Sequence, residues 1–184
     1  MNNKAFIFDG QGNKFNNFGK DFYENESSFK GFVNTYKDFL DLENDVYNRE
    51  ENEIDTEIFQ PAVFLVEMGI VHLLIDHGIK PKNFAGSSLG EYSAICSANY
   101  LKVEDGIKIL QKRGNLMKTE LSKIESEMRA VMFLENSKVQ KIVDEYNCQI
   151  SNENSYNQVV ISGLKEDIEK ASNECIARRS KKNC

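Results

Sequence analysis

The chain has 184 residues, of which 40% are hydrophobic and 28% charged, so it can bury the core of one globular domain with at most a small appended subdomain. Its formal net charge of −6 disfavours non-specific binding to nucleic acid. Four cysteines without CxxC spacing and only two histidines disfavour a metal site and predict a reduced, cytoplasmic chain. The sequence shows neither a signal-peptide pattern nor a run of about 18 apolar residues, so we expect no contact with a membrane.

The first 124 residues alternate short apolar strands with amphipathic helices. Residues 4–8, KAFIF, predict a buried strand, and the glycine-rich DGQGN that follows predicts a turn. The next predicted elements are one or two helices over 18–42, a polar surface loop over 41–55, a long helix over 56–81, a short strand over 83–86 and a helix over 103–122. The pattern is typical of an α/β core.

From about residue 127 the order of elements changes. The predicted sequence is a strand over 128–134, a helix over 137–147, two strands at CQISN and QVVISG, and a helix over 165–176. Strand, helix, strand, strand, helix is the order of a ferredoxin-like split unit without its last strand. We therefore predict a small, incomplete α+β subdomain here.

The stretch AGSSLGEY, residues 85–92, contains a G-x-S-x-G motif between a short strand and a helix. In a nucleophile elbow the flanking residues, here Gly86 and Gly90, must be small because the turn is tight. Ser88 is the only serine at the central position, and Leu89 supplies the backbone N–H that follows it. Taken alone, the motif fits a glycine-serine turn that caps a helix equally well. The strand, turn and helix context favours the elbow.

Two further segments could complete a site around this serine. The DGQGN loop can bring a second backbone N–H beside it, although an ordinary turn at a strand end is the simpler reading of that loop alone. Arg113, in KRGNLM, can bind a carboxylate with two parallel hydrogen bonds, although a lone helix arginine is by default solvated.

Together and in this order, the segments resemble the malonyl-CoA:acyl carrier protein transacylase family and the related acyltransferase domains of polyketide synthases. The matching segments are FIFDGQGNKFNNFGKDFYE, the stretch from IFQPAVFLVEMG to QKRGNLM, and MRAVMFL on to NENSYNQVVISG. The resemblance implies an α/β hydrolase-like core with a parallel sheet and a serine elbow over 1–124, and a ferredoxin-like subdomain over 125–176. Both parts are expected to be incomplete.

The resemblance also implies a role for each matching residue. Ser88 would be the acylated nucleophile, the N–H groups of Gln11 and Leu89 the oxyanion hole, and Arg113 the ligand of a malonyl carboxylate. The other implied substrate-binding residues are Ser87, Met117, Asn152 and Asn154. A malonyl group would pass from malonyl-CoA to Ser88 and then to the phosphopantetheine thiol of an acyl carrier protein, by a ping-pong reaction without a metal or redox cofactor. The family resemblance implies a monomer.

The sequence departs from the family at two points. The family has histidine before the nucleophile where this chain has Ser87, and serine there also occurs in acyltransferase-like hydrolases, so an acyl hydrolase stays an alternative. The family's catalytic histidine would lie beyond residue 184, and His72 and His77, which precede the elbow, are expected to be ordinary helix residues. An inactive, truncated acyltransferase is therefore a third interpretation.

The tail over 177–184 is atypical of the family. We interpret it as the product of a frameshift or a truncation. Sequencing the gene tests this hypothesis, which predicts a continuation of the family pattern in a neighbouring reading frame.

Overall fold

The computed structural model describes residues 4–10, 18–50 and 53–180. The chain divides into two compact units, residues 1–118 and 119–184. The strands are β1 (Ala5–Phe8), β2 (Asn83–Gly86), β3 (Ser126–Met132), β4 (Gln149–Ser155) and β5 (Gln158–Leu164). The α-helices are α1 (Lys20–Asn25), α2 (Ser27–Asn34), α3 (Thr56–Asp76), α4 (Gly90–Ser97), α5 (Val103–Leu121), α6 (Asn136–Glu145) and α7 (Lys165–Ser180).

The first unit is built on a parallel pair of strands. β1 and β2 pair in register from Ala5 opposite Asn83 to Phe8 opposite Gly86. Parallel strands need a crossover connection, and the chain between β1 and β2 supplies helices α1 to α3. The strand ends therefore place Gly10, which follows β1, beside the turn after β2, where the serine motif lies.

Helix α3 forms the centre of the apolar core of the first unit. It begins at Thr56, as predicted, and carries Pro61 in its second turn, but it ends at Asp76, before the predicted bound at residue 81, and Gly78 follows with a φ of 77°. Its fully buried side chains include Phe64 and Leu65. A helix that is apolar on nearly all sides is expected at the middle of a core rather than on the surface.

The composition of α3 bears on the expectation that the chain makes no contact with a membrane. Within the described part of the chain, Thr56–Asp76 is long and apolar enough to cross a membrane, with a mean hydropathy of 1.9, whereas the sequence showed no unbroken apolar run of that length. In the structure 61% of that segment is buried. This burial is what the core helix of a folded domain shows.

The segment over 41–55 was wrongly predicted to be a polar surface loop. It contains a π-helix, Glu43–Tyr47, and buries Leu42, Val46, Tyr47 and Ile54 in the core. Acidic residues dominate the segment, so its four apolar residues did not stand out as core residues in the sequence. Tertiary burial outweighed local polarity here.

The second unit is an antiparallel sheet covered by two helices. Its strand order is β3-β5-β4, and α6 and α7 contribute to one apolar cluster with the sheet. Val131, Val159 and Ile161 lie on the covered face. The order strand, helix, strand, strand, helix is the one predicted, and β3 pairs with β5 alone among the described residues.

The segment predicted to be an atypical tail, residues 177–184, begins within helix α7. Helix α7 continues to Ser180, and residues 181–184 lie outside the described part of the chain. The functional boundaries drawn at residues 124 and 176 stay predictions, as does the frameshift.

Candidate active site

Ser88 lies at the tip of a turn whose backbone is held in an unusual conformation. Its φ is +53°, in the left-handed region that non-glycine residues rarely adopt. A Cβ on Gly86 would lie 2.0 Å from the carbonyl oxygen of Gly90, and a Cβ on Gly90 would lie 2.3 Å from the carbonyl oxygen of Phe8. Both glycines are therefore required by close backbone approach, as a nucleophile elbow requires.

The helix that follows Ser88 directs its N-terminus at the turn. Leu89 has helical dihedral angles and is fully buried, and the N–H groups of Gly90 and Glu91 donate to the carbonyls of Ser87 and Ser88. The N–H groups of a first helical turn have no acceptor within the helix and carry the positive end of its dipole. The assignment of the Leu89 N–H to an oxyanion hole stays a prediction.

Arg113 lies directly beside the serine. Its Nη2 donates a hydrogen bond of 3.0 Å to Ser88 Oγ, and its Nη1 donates to Oε1 of Gln60. Arg113 as a whole residue is partly buried. A lone helix arginine is by default expected to be solvated, but the side chain of Arg113 instead reaches the hydroxyl of Ser88.

Gln60 is a site residue that the sequence analysis missed. Its side chain is fully buried, and besides accepting from Arg113 it donates to Thr56 Oγ1 at 2.9 Å and to Met117 Sδ at 3.4 Å. The sequence feature that could have indicated Gln60 is the presence of a glutamine within the apolar stretch IFQPAVF. Buried polar groups need partners, and its burial indicates that it holds another polar group in place.

A glycine on α5 brings Arg113 close to Gln60. A Cβ on Gly114 would lie 2.6 Å from Glu57 Cα and from the carbonyl oxygen of Thr56. Helix α5 can therefore contact the first turn of α3 backbone to backbone. The motif "RG" thus pairs the charged residue with the small residue that positions it.

Two other predicted residues, Met117 and Ser87, lie near the elbow in space or in the chain. Met117, one turn after Arg113, contacts the amide of Gln60 and is partly exposed. Ser87 is exposed, and its N–H donates to the carbonyl of Phe8 at 3.1 Å. Gly10 contacts this turn, since its Cβ would lie 3.1 Å from the Ser87 carbonyl oxygen, whereas Gln11 lies outside the described residues.

Asn152 and Asn154 lie on β4, in the second unit. Both side chains are exposed, and Asn154 Nδ2 donates to Gln158 Oε1 at 3.2 Å. Their assignment to substrate binding stays a prediction.

The two histidines have partners away from Ser88. The ring of His72 stacks on Phe32 with centroids 4.6 Å apart and faces Asp76 at 3.5 Å. The ring of His77 hydrogen-bonds to the Leu73 carbonyl at 2.9 Å. These contacts are those of ordinary helix histidines.

A second polar pair lies in the first unit, beneath the elbow helix. The Ser93 hydroxyl, on α4, donates to Oε2 of Glu67, on α3. Burial raises the pKa of Glu67 to about 7, the nearby Asp9 acts in the same direction, and the Ser93 hydrogen bond opposes them. The sequence analysis missed this pair as well.

The comparisons with known proteins agree with this geometry. The acyl transferase domain family matches residues 5–183, so the chain belongs to that family. It is 30% identical over 180 residues to the malonyl CoA-acyl carrier protein transacylase of Bacillus subtilis (strain 168), covering 94% of this chain and 57% of that protein. The polyketide biosynthesis transacylase PksC of the same strain is 32% identical, with 91% of this chain and 59% of PksC covered.

One solved structure with the same fold is a complex with an acyl-carrier protein. The chain matches a malonyl-transacylase in complex with its type II polyketide acyl-carrier protein, PlMCAT:AntF, with a TM-score of 0.88 and 28% identity, over 96% of this chain and 60% of that one. The predicted family and the predicted fold class, an incomplete α/β core with a small antiparallel subdomain, are confirmed. The chain spans somewhat more than half the length of these relatives.

Proposed function

We propose that this chain carries the nucleophile half of a malonyl-CoA:acyl carrier protein transacylase, with Ser88 as the residue that accepts the malonyl group. The observation that supports this most directly is the hydrogen bond of 3.0 Å between Arg113 Nη2 and Ser88 Oγ. It sets a permanent cation beside a hydroxyl on a strained elbow. An acyl chain without a free carboxylate offers no group for that cation to bind.

A malonyl thioester fits this pair of groups. Its free carboxylate is joined to the reacting carbonyl through one methylene, so a serine that attacks the carbonyl has the carboxylate close by. Arg113 can exchange its bond to the hydroxyl for two bonds to this carboxylate. Gln60 keeps the guanidinium oriented because it accepts from Nη1.

The reaction has two acyl transfers. Ser88 Oγ attacks the thioester carbonyl, its proton passes to a base, the carbon–sulfur bond breaks and CoA leaves as the thiol. The negative oxygen of the tetrahedral intermediate lies against the N–H groups of Leu89 and, as the resemblance implies, Gln11. The phosphopantetheine thiol of the acyl carrier protein then attacks the malonyl ester, and Ser88 regains its proton.

The base belongs outside the described residues. Neither His72 nor His77 hydrogen-bonds to Ser88, and the guanidinium of Arg113 donates to Ser88 Oγ rather than accepting from it. Without a base, rates fall on the order of 10⁴–10⁶-fold in comparable serine enzymes. We propose that a segment absent from these 184 residues supplies it.

Mass spectrometry of the purified chain after incubation with malonyl-CoA tests the proposal. A malonyl adduct on Ser88, absent from the Ser88→Ala variant and reduced with acetyl-CoA, supports it. A folded chain that loads both acyl groups equally contradicts the role of Arg113. The acyl hydrolase stays the second candidate because Ser87 replaces the family histidine, and release of free malonate from loaded carrier protein, rather than transfer, favours it.

A further inference from the structure

The second unit contains a pocket of about 620 Å³ at the loop that joins β3 to α6. One wall is formed by residues 133–137, and the other by Glu153 and by residues 155–157, where β4 turns into β5. The N–H of Phe133 donates to the carbonyl of Asn157 at 2.8 Å and so joins the two walls. None of the residues assigned to acyl transfer lines this pocket.

Two aromatic residues of the pocket are exposed. Phe133 is 60% exposed and Tyr156 is 97% exposed. Phe133 also has a φ of +62°, in the left-handed region that disfavours residues with a Cβ. Strained residues persist where the surrounding structure holds them, and they cluster at functional sites. An exposed aromatic ring at a strained position therefore indicates that the ring has a use beyond packing.

The charged groups of the pocket are all of one sign. Glu135 and Glu153 line it and are exposed, whereas the lining contains neither lysine, arginine nor histidine. Lys138 faces Glu135 at 3.4 Å, but both side chains are about half exposed, so solvent screens this pair. No cation pairs with Glu153 in the part of the chain that the structure describes. The pocket thus favours a positively charged ligand.

The pocket wall also contains an acceptor without a donor. The side-chain Nδ2 of Asn136 donates to Glu153 Oε2 at 3.1 Å, whereas Asn136 Oδ1 is buried and has no hydrogen-bond partner. Among the described residues it is the one buried side-chain nitrogen or oxygen atom of which this is true. Such an acceptor destabilises the protein. A ligand with N–H donors that reaches it after a small rotation of the amide removes that cost.

A guanidinium group meets these requirements together. It is planar and permanently charged, it carries five N–H donors, it stacks on aromatic rings and it binds a carboxylate through two parallel hydrogen bonds. We propose that this pocket binds the guanidinium of an arginine side chain on a partner protein, which stacks on Phe133, binds the carboxylate of Glu153 and donates to Asn136 Oδ1. Charge complementarity identifies this occupant, since the two glutamates repel an anionic ligand. The proposal does not depend on the chemistry of Ser88.

Nuclear magnetic resonance titration of the ¹⁵N-labelled chain with N-acetylarginine amide tests the proposal. We expect saturable shifts of the backbone amide signals of Phe133, Asn136 and Tyr156. N-acetylcitrulline amide, which has the same shape without the charge, should bind at least about tenfold more weakly. Equal binding of the citrulline probe overturns the requirement for a cation, and equal binding of Nα-acetyllysine amide overturns the assignment of a guanidinium. Concentration-dependent shifts of the same signals without a probe would make a second copy of the chain the occupant and also overturn it.

A matched pair of variants locates the charge contact. Glu153→Gln should weaken binding of the arginine probe about tenfold, because one of the two hydrogen bonds to a carboxylate and the charge are lost. Glu166→Gln, at an exposed glutamate on α7 outside the pocket, should leave binding unchanged. Both positions are exposed, so both variants should keep the spectrum of the folded parent chain. Equal weakening in the two variants contradicts the assignment.

Phe133→Gly separates the use of the ring from its packing. Glycine adopts a φ of +62° without strain, so this variant should unfold at a higher urea concentration than the parent chain. It should nevertheless bind the arginine probe about threefold more weakly, because the cation loses the aromatic face. Unchanged binding in this variant would show that the guanidinium does not stack on Phe133 and would overturn the proposed geometry.

Discussion

Arg113 is the residue on which acyl selectivity depends in the proposed reaction. Arg113→Lys keeps the charge but loses the planar pair of donors, and hydrogen bonds to charged groups contribute about 1.5–3 kcal/mol. We expect the initial rate of malonyl adduct formation to fall about 10- to 100-fold, with acetyl loading changed less than threefold. Intact-protein mass spectrometry over time measures both rates. The neighbouring Lys112→Ala is the control. An equal loss of rate with malonyl-CoA and with acetyl-CoA would refute the proposal that Arg113 binds the malonyl carboxylate.

Gln60 acts through Arg113 rather than on the substrate. Gln60→Leu removes the buried acceptor of Arg113 Nη1 at similar volume, so the guanidinium should lose its fixed orientation. The expected result is a fall of about tenfold in the ratio of malonyl to acetyl loading, the range for one charge-assisted hydrogen bond. Gln111→Leu removes a glutamine that donates instead to the Phe39 carbonyl and should leave the ratio unchanged. A ratio equal in all three proteins would assign Gln60 a packing role alone.

Glu67 makes the stability of the first unit depend on pH. Its pKa is about 7 in the folded state, above the ordinary 4.5, so the folded state holds a proton that the unfolded state has released between these pH values. Stability should therefore fall as pH rises from about 4.5 to 7 and then level off. Urea unfolding between pH 5 and 8.5 measures it. Glu67→Gln should flatten this dependence and raise stability most above pH 7; an unchanged slope would assign the pH dependence to other groups.

At the scale of elements, the elbow depends on how closely β1, β2 and α4 approach. In Gly90→Ala the new methyl would lie 2.3 Å from the Phe8 carbonyl oxygen, and backbone cannot yield as a side chain does. We expect a loss of about 3 kcal/mol in the free energy of unfolding.

Gly31→Ala is the opposite case. This position on α2 has open space around it, so alanine should stabilise the helix by about 0.5–1 kcal/mol. Urea unfolding compares the two variants with the parent. Equal effects from both would mean that glycine is needed only for backbone freedom and not for close approach.

The secondary structure was largely predictable from the sequence because most elements carry a strong period. Strand β2 and helices α3 and α5 begin and end within a few residues of the predicted bounds, where glycine, proline and the apolar pattern coincide. The π-helix Glu43–Tyr47 was not predictable, because its burial depends on partners distant in the chain.

The candidate site likewise has residues that could be predicted from the sequence and residues that could not. Ser88 and its glycines follow from the motif, since the turn itself demands them. Gln60 and the Glu67–Ser93 pair do not, because each joins residues more than 25 positions apart that only packing brings together. Gly114 was visible in the sequence, but its use in helix contact was not.

At the scale of the whole chain, each unit has its own apolar core and its own buried thiols. Cys96 belongs to the first cluster, and Cys148 and Cys175 belong to the second. Burial raises the pKa of Cys96 to about 11 and raises those of Cys148 and Cys175 as well, so few thiolates are present at pH 8.

These thiols report the unfolding of each unit separately. Pulsed alkylation at increasing urea, read by peptide mass spectrometry, should label Cys96 at a different midpoint from Cys148 and Cys175. The two clusters share no residue and differ in size, so their stabilities should differ. One common midpoint for all three cysteines would instead show that the chain unfolds as a single cooperative body.

The left-handed backbone at Ser88 has a consequence for laboratory evolution of this protein. Glycine adopts a φ of +53° at no steric cost, whereas a residue with a Cβ loses about 1 kcal/mol there. Ser88→Gly should therefore give a more heat-resistant protein without a nucleophile. A library selected only for resistance to heat or proteases would drift toward that variant, so acylation must be part of the screen.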